Sequence, residues 1–221
     1  MQIGNNIREV ERRIARAAER SGRPPEDITI IAVTKTIELQ LIQEAFEAGM
    51  RHFGESRIRE AKDKIGQLTA LQPLSTWHMV GHLQTNKVGL AVELFHFIQS
   101  VDSIRLAEVI SRHAQRNMPI LLQVNVSGEA SKFGFPPDAV SSAVEVIAHF
   151  PHLQIKGLMT IAPLTNNPEE VRPCFRQLRL LRDSLGLEHL SMGMTDDFEV
   201  AIEEGATMVR IGRAIFGQRE E

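Results

Sequence analysis

The chain has 221 residues, 43% hydrophobic and 24% charged, the balance of a folded globular protein and not of a disordered or collagenous one. With 25 lysines and arginines against 28 acidic residues the formal charge is −3, which removes the basic excess that draws a whole surface to nucleic acid. Cys174 stands alone, so there is no disulfide framework and no Cys-rich metal site, and no apolar run approaches the roughly 20 residues of a membrane span.

From Asn5 to Gly22, Ile7, Val10, Ile14 and Ala17 or Ala18 recur at helical spacing among arginines and glutamates, and Gly22-Arg23-Pro24-Pro25 ends the run. This predicts an N-terminal helix within residues 1–24. The opening lacks the apolar centre of a secretory signal, so a cytoplasmic protein is expected. Ile28 to Thr34 is a β-branched run without polar alternation, as a strand buried on both faces requires. Leu39, Leu41, Ile42, Ala45 and Phe46 share one face of a helix that stops near Gly49.

The rhythm then repeats. Strands are expected at His52–Gly54, Trp77–Val80, Phe97–Val101, Ile120–Val126, Ile155–Met159, His189–Met192 and Met208–Ile211, with helical patterns clearest at Ile104–Asn117, Asp138–His149 and Glu169–Leu185. Eight strand-then-helix units fit an α/β fold, a single-domain (β/α)8 TIM barrel over 1–221 with an extra N-terminal helix packed on it. A doubly wound open sheet has the same periodicity, which does not report closure.

In such a barrel the loops after the strands share one face, so Lys35, Glu55, Ser56, Asn125, Ser191, Gly193, Arg210 and Gly212 become one candidate site. Lys35 continues the face of Ile31 and Val33 towards a desolvated region, where a lysine amine becomes a better Schiff-base nucleophile. The bland alternative is a lysine reaching from a strand end into solvent. Ser191-Met192-Gly193-Met194-Thr195-Asp196-Asp197 runs from a strand into a helix start, and Arg210-Ile211-Gly212-Arg213 closes the last strand with glycine at the turn. Both stand where barrels of this type bind phosphate, against the alternatives of a simple helix cap for the first and ion-paired or solvated arginines for the second. A metal on His78 and His82 lacks a third ligand, and Cys174 reads as a small buried hydrophobe.

The ordered motifs Ala32-Val33-Thr34-Lys35-Thr36, Gly54-Glu55-Ser56, Trp77-His78 with Gly81-His82-Leu83-Gln84-Thr85-Asn86-Lys87, Val124-Asn125-Val126 with Ser131-Lys132-Phe133-Gly134, Gly157-Leu158-Met159, and the Ser191 and Arg210 segments closely resemble the pyridoxal phosphate homeostasis proteins (PROSC/YggS family), which are similar in fold to the N-terminal barrel of alanine racemase. The resemblance implies pyridoxal 5′-phosphate held on Lys35 as an internal aldimine. It places Ser191, Met192, Gly193, Arg210, Gly212 and Arg213 in the phosphate-binding region, and Ser56 and Met159 among the cofactor contacts. Two positions depart from the family pattern: Ser56 stands where asparagine is common, and Arg213 where small residues are common.

Alanine-racemase-like enzymes place a tyrosine base in a second domain, and this chain has no tyrosine. The expected function is therefore a pyridoxal phosphate carrier serving vitamin B6 and amino-acid balance, without dedicated catalysis. A racemase or lyase, a Schiff-base aldolase, and a regulatory module responsive to the cofactor are the alternatives. The expected partners are the cofactor and either apo-enzymes that use it or a regulatory protein, with no nucleic acid, membrane or metal, and the expected state is a monomer.

Overall fold

The computed structural model describes residues 2–129 and 132–218. Residues 1, 130, 131 and 219–221 lie outside it, and with them Ser131 of the Ser131-Lys132-Phe133-Gly134 motif. Eight strands, β1 (Thr29–Val33), β2 (His52–Glu55), β3 (Thr76–Met79), β4 (Phe97–Val101), β5 (Met118–Gln123), β6 (Leu153–Met159), β7 (His189–Ser191) and β8 (Met208–Ile211), close in chain order into one barrel. Closure rests on the parallel pairing of β1 with β8, in which Ile31 stands against Arg210, and it excludes the open doubly wound sheet.

Every strand end lies within one residue of the sequence reading except at both ends of β5 and the start of β6, which differ by two or more. β5 begins at Met118 and ends at Gln123, because Asn125 turns its amide to the carbonyls of Glu129 (2.8 Å) and Lys132 (3.3 Å) and so leaves the ladder. β6 begins at Leu153, paired with Met118.

Strand alternation divides the side chains between two cores. Ala32, Phe53, Trp77, Ile98, Leu122, Leu158, Leu190 and Val209 face outward into the main core beneath the helices. Ile31, Phe97, Leu121, Met159 and Met208 form a separate cluster inside the barrel. Both faces are covered, which is why the strands read as near-continuous apolar runs.

The helices are α1 (Gln2–Arg20), α2 (Leu39–Glu47), α3 (Ile58–Gln67), α4 (Val88–Leu94), α5 (Ile104–His113), α6 (Val140–Ile147), α7 (Arg172–Ser184), α8 (Phe198–Glu203) and α9 (Arg213–Phe216). The helix after β8 is thus a single turn. α1 packs against α8, α9 and α2, and so fills the ring position that a full eighth helix would occupy. Its buried stripe of Ile3, Ile7, Val10, Ile14, Ala17 and Ala18 recurs every three or four residues. Asn6 Nδ2 donates to the Ile215 carbonyl at 2.8 Å, and Arg13 pairs with Glu199 at 2.9 Å. Among the described residues no helix is long and apolar enough to cross a membrane.

Candidate functional site

The C-terminal ends of β1, β2, β3, β6, β7 and β8 surround a cavity of about 300 Å³, lined by Val33, Ser56, Val80, Ile161, Thr195, Arg210, Gly212 and Arg213 among others. That is the lower end of the range for small-molecule pockets. Leu164, Asp196 and Arg213 are exposed at its rim.

Arg210 is the buried cation of this cavity. Met208, Arg210 and Gly212 alternate on the face of β8 that looks into the barrel. Arg210 Nη1 donates to Ser191 Oγ and Nη2 to the Thr160 carbonyl, both at 2.7 Å, while its backbone N–H donates to the Gly193 carbonyl at 3.0 Å. Burial lowers its pKa to about 10, opposed by the Asp197 carboxylate, so the guanidinium stays charged at neutral pH.

Beneath Arg210 a chain of polar side chains crosses the barrel. Ser191 Oγ donates to Gln99 Oε1 at 2.7 Å, Gln99 Nε2 meets His78 Nδ1 at 3.0 Å, and His78 Nε2 meets His52 Nδ1 at 3.0 Å. Because the Gln99 amide donates to Nδ1, His78 carries its proton on Nε2 and donates it to His52. Burial, with the neighbouring charges of His52 and His96, pushes the His78 pKa down to about 3, so the ring is neutral. Every link therefore donates away from Arg210 and presents an acceptor towards it. The sequence reading missed Gln99, Thr160 and the inward role of His78. The available signal was the polar Gln99 in the middle of Phe97-Ile98-Gln99-Ser100-Val101, a position with no use for an amide unless something inside the barrel pairs with it.

Two loops frame the cavity on the β7–β8 side. Gly193 has φ 91°, and a Cβ there would lie 2.6 Å from Ala201 Cβ and 2.8 Å from Phe198 Cα, so only glycine lets this loop rest on α8. Met194 N–H donates to Asp197 Oδ1 at 2.5 Å, and Ala214 N–H donates to Thr195 Oγ1 at 3.4 Å, which ties the two loops together. The alternative of a simple helix cap is not met, since Asp197, the residue that precedes α8, makes no side-chain cap hydrogen bond. Burial raises the Asp197 pKa, against the opposing pull of the Met194 N–H and Arg210. Arg213 is exposed and pairs with Asp196.

The remaining expected residues divide clearly. Ser56 lines the cavity, and Gly81 makes room for it, since a Cβ at Gly81 would lie 2.5 Å from the Ser56 carbonyl oxygen. Met159 sits in the inner apolar cluster. Met192 is fully buried with its side chain in the outer core, away from the barrel axis. Lys35 is half-buried two residues after Val33, the β1 residue that lines the cavity. Glu55, expected at the mouth, shares the outward face of Phe53 and is paired with Lys64 at 2.9 Å and with the Thr34 hydroxyl at 2.6 Å. Asn125 fastens its own loop.

His78 and His82 do not converge. His82 contacts Asp102 at 3.0 Å and stacks on Phe133 with ring centroids 3.7 Å apart, while His78 lies in the barrel. Among the described residues no three His, Cys, Asp or Glu side chains stand in a metal-binding group. Cys174 is half-buried, and burial raises its thiol pKa, the reverse of an activated nucleophile.

The alanine racemase N-terminal domain model matches residues 6–220. Pyridoxal phosphate homeostasis proteins are similar over essentially their whole length: that of Aquifex aeolicus is 41% identical, covering 100% of both chains, and that of Pseudomonas aeruginosa is 43% identical, covering 99% of this chain and 96% of the relative. The structure of PipY from Synechococcus elongatus with pyridoxal phosphate bound superposes with a TM-score of 0.84 at 38% identity, covering 98% of this chain and 100% of that one. Alanine racemase from Corynebacterium glutamicum, at 17% identity and a TM-score of 0.71, shares the fold, with 61% of its length covered. A cationic barrel floor between two glycine-bearing loops, on a fold matched end to end by these relatives, places the chain in the pyridoxal phosphate homeostasis protein family.

Proposed function

We propose that this protein binds pyridoxal 5′-phosphate at the barrel mouth and serves as a carrier in vitamin B6 and amino-acid homeostasis, without a reaction of its own. The observation that carries the reading is the donor set of the cavity: one buried guanidinium, a threonine hydroxyl and two loops at the ends of β7 and β8, with a lysine two residues beyond the cavity's β1 wall. This set suits a phosphorylated aromatic aldehyde. Arg210 supplies a fixed positive charge, Gly193 to Thr195 and Gly212 to Arg213 supply the loops for a phosphate, Ser56 borders the ring's space with Met159 in the apolar cluster inside the barrel, and Lys35 supplies the amine for covalent attachment. When bound, the cofactor supplies an electrophilic aldehyde and an electron-withdrawing ring.

The reading of a carrier is supported by the names of the full-length relatives and by the absence of tyrosine, which removes the base a racemase of this fold places on the second face of the substrate. Exposed rim residues Leu164, Asp196 and Arg213 leave the mouth accessible, which favours exchange of the cofactor over shielding of a reactive carbanion. Apo-enzymes that need the cofactor are the proposed recipients, in the cytoplasm.

The test is the absorption spectrum of the protein after incubation with pyridoxal 5′-phosphate, followed by borohydride reduction and peptide mass mapping. A pyridoxyl mass on Lys35, absent from Lys35→Ala, is the expected result. A chain that stays colourless and unlabelled would falsify the reading.

A further inference from the structure

We infer that Lys64 and Glu60, both on α3, are positioning residues that hold the main chain on either side of Lys35 so that its amine is set for covalent capture of an aldehyde. The inference rests on the proposed role of Lys35.

β1 ends at Val33, so the sheet does not by itself fix Lys35. What fixes its neighbours is an ionic cluster on the outer side of the barrel. The Thr34 carbonyl accepts from Lys64 Nζ and from the Ile37 N–H, the latter at 2.9 Å. On the other side of Lys35, the Thr36 N–H donates to Glu60 Oε1. The same Glu60 oxygen accepts from Lys64 Nζ at 2.6 Å, which closes a loop of contacts from Thr34 through Lys64 and Glu60 to Thr36. The third Lys64 proton goes to Glu55 Oε1 at 2.9 Å, an oxygen that also accepts from the Thr34 hydroxyl at 2.6 Å. Three ammonium protons meet three acceptors, so Lys64 has no freedom left.

Two features indicate that the cluster specifies geometry beyond what folding needs. Thr36 has φ 63°, a left-handed conformation that a β-branched residue adopts only where its surroundings impose it. The clamp on Thr36 N–H is such a constraint, placed one residue after the amine. Moreover, Lys64 keeps only 10% of its side chain exposed and Glu55 none, and an ion pair so desolvated is no better for stability than apolar residues of the same size. Its specific gain is orientation.

Capture forms a C=N bond between Lys35 Nζ and the aldehyde carbon. The carbonyl oxygen leaves as water with the two hydrogens of the neutral amine, so no oxidant or further reactant is needed. The rate of such a step depends steeply on where the nitrogen is held.

The experiment compares two ligands on Lys64→Met and Glu60→Ala: pyridoxal 5′-phosphate, scored by the rate of borohydride-fixable labelling at Lys35, and pyridoxine 5′-phosphate, which has the same ring and phosphate but no aldehyde, scored by equilibrium binding. The expected result is a labelling rate lowered by about tenfold or more, with pyridoxine 5′-phosphate affinity at the wild-type value. Lys64→Arg, which can still donate to the Thr34 carbonyl and to a carboxylate, restores part of the rate. Glu60→Ala leaves the buried Lys64–Glu55 pair in place, and so tests the clamp even where Lys64→Met fails to fold. Labelling at the wild-type rate in a folded variant, or equal losses for both ligands, overturns the inference. Absence of labelling on the wild-type chain overturns the proposed function and this inference together.

Discussion

Arg210 Nη1 and Ser191 Oγ lie 2.7 Å apart inside the barrel, and the serine proton is committed to Gln99 Oε1 at the same distance. The hydroxyl is thus an acceptor for the guanidinium and has no second proton to offer a ligand. Arg210→Met removes the charge and leaves the Ser191 hydroxyl and Thr160 carbonyl without their donor. It should cost about 1–3 kcal/mol of stability and abolish tight cofactor binding. Ser191→Ala should lower affinity less, because Thr160 still holds the arginine. Calorimetric titration of both variants ranks the two roles, and equal losses would put Ser191 in direct contact with ligand.

Gly193→Ala is a backbone test of the loop beside the proposed phosphate position. The added methyl meets Ala201 and Phe198 at 2.6 and 2.8 Å in a residue with φ 91°. The loop must move off α8, at a cost of about 1–3 kcal/mol. Because the loop then no longer rests on its template, affinity for pyridoxal 5′-phosphate should fall more than affinity for unphosphorylated pyridoxal. Equal falls for the two ligands would move the phosphate elsewhere.

His78 should give the protein an acid-sensitive limb. Its pKa is about 3 in the folded barrel against an ordinary 6.5, with burial as the main cause. Between those values the unfolded chain binds a proton that the folded chain does not, so stability rises with pH at about 1.4 kcal/mol per unit and is lost on acidification. His78→Gln, which keeps an amide within reach of His52 and Gln99, removes that contribution. Urea unfolding at about pH 7 and about pH 5 should show a smaller loss for the variant than for the wild type, by at most about 2 kcal/mol. An unchanged difference would assign the acid limb to other groups.

Arg213 lies at the rim, 44% exposed and paired with Asp196, which is 58% exposed. An ion pair so open to solvent contributes about 0–1 kcal/mol, so Arg213→Ala should leave the unfolding midpoint nearly unchanged. A drop in cofactor affinity that shrinks at high salt would show that the side chain reaches the phosphate, whereas no drop would assign it to Asp196 alone.

α1 should behave as a member of the barrel's helix ring and not as an appendage. Ile7 is 2% exposed beneath it, so Ile7→Ala is expected to cost about 2–4 kcal/mol in one cooperative transition. A separate early transition for α1 would contradict this.

The sequence by itself determined the strand-then-helix order and the residues at the ends of the strands, because β-branched apolar runs and helical periodicity are local signals that survive without a partner. It also carried Lys35, Arg210 and the Gly193 and Gly212 turns, whose residue types are distinctive where they stand. Tertiary structure alone decided the rest. Alternation separates two faces of a strand but does not say which looks inward, so Glu55 went to the helix layer and Gln99 to the barrel axis. The chain from Arg210 to His52 depends on contacts such as Ser191 with Gln99, 92 residues apart, which no local pattern records. Closure, and the use of α1 in place of a full eighth helix, follow from the tilt and register of all eight strands together, a geometry that exists only once every strand has found its neighbour.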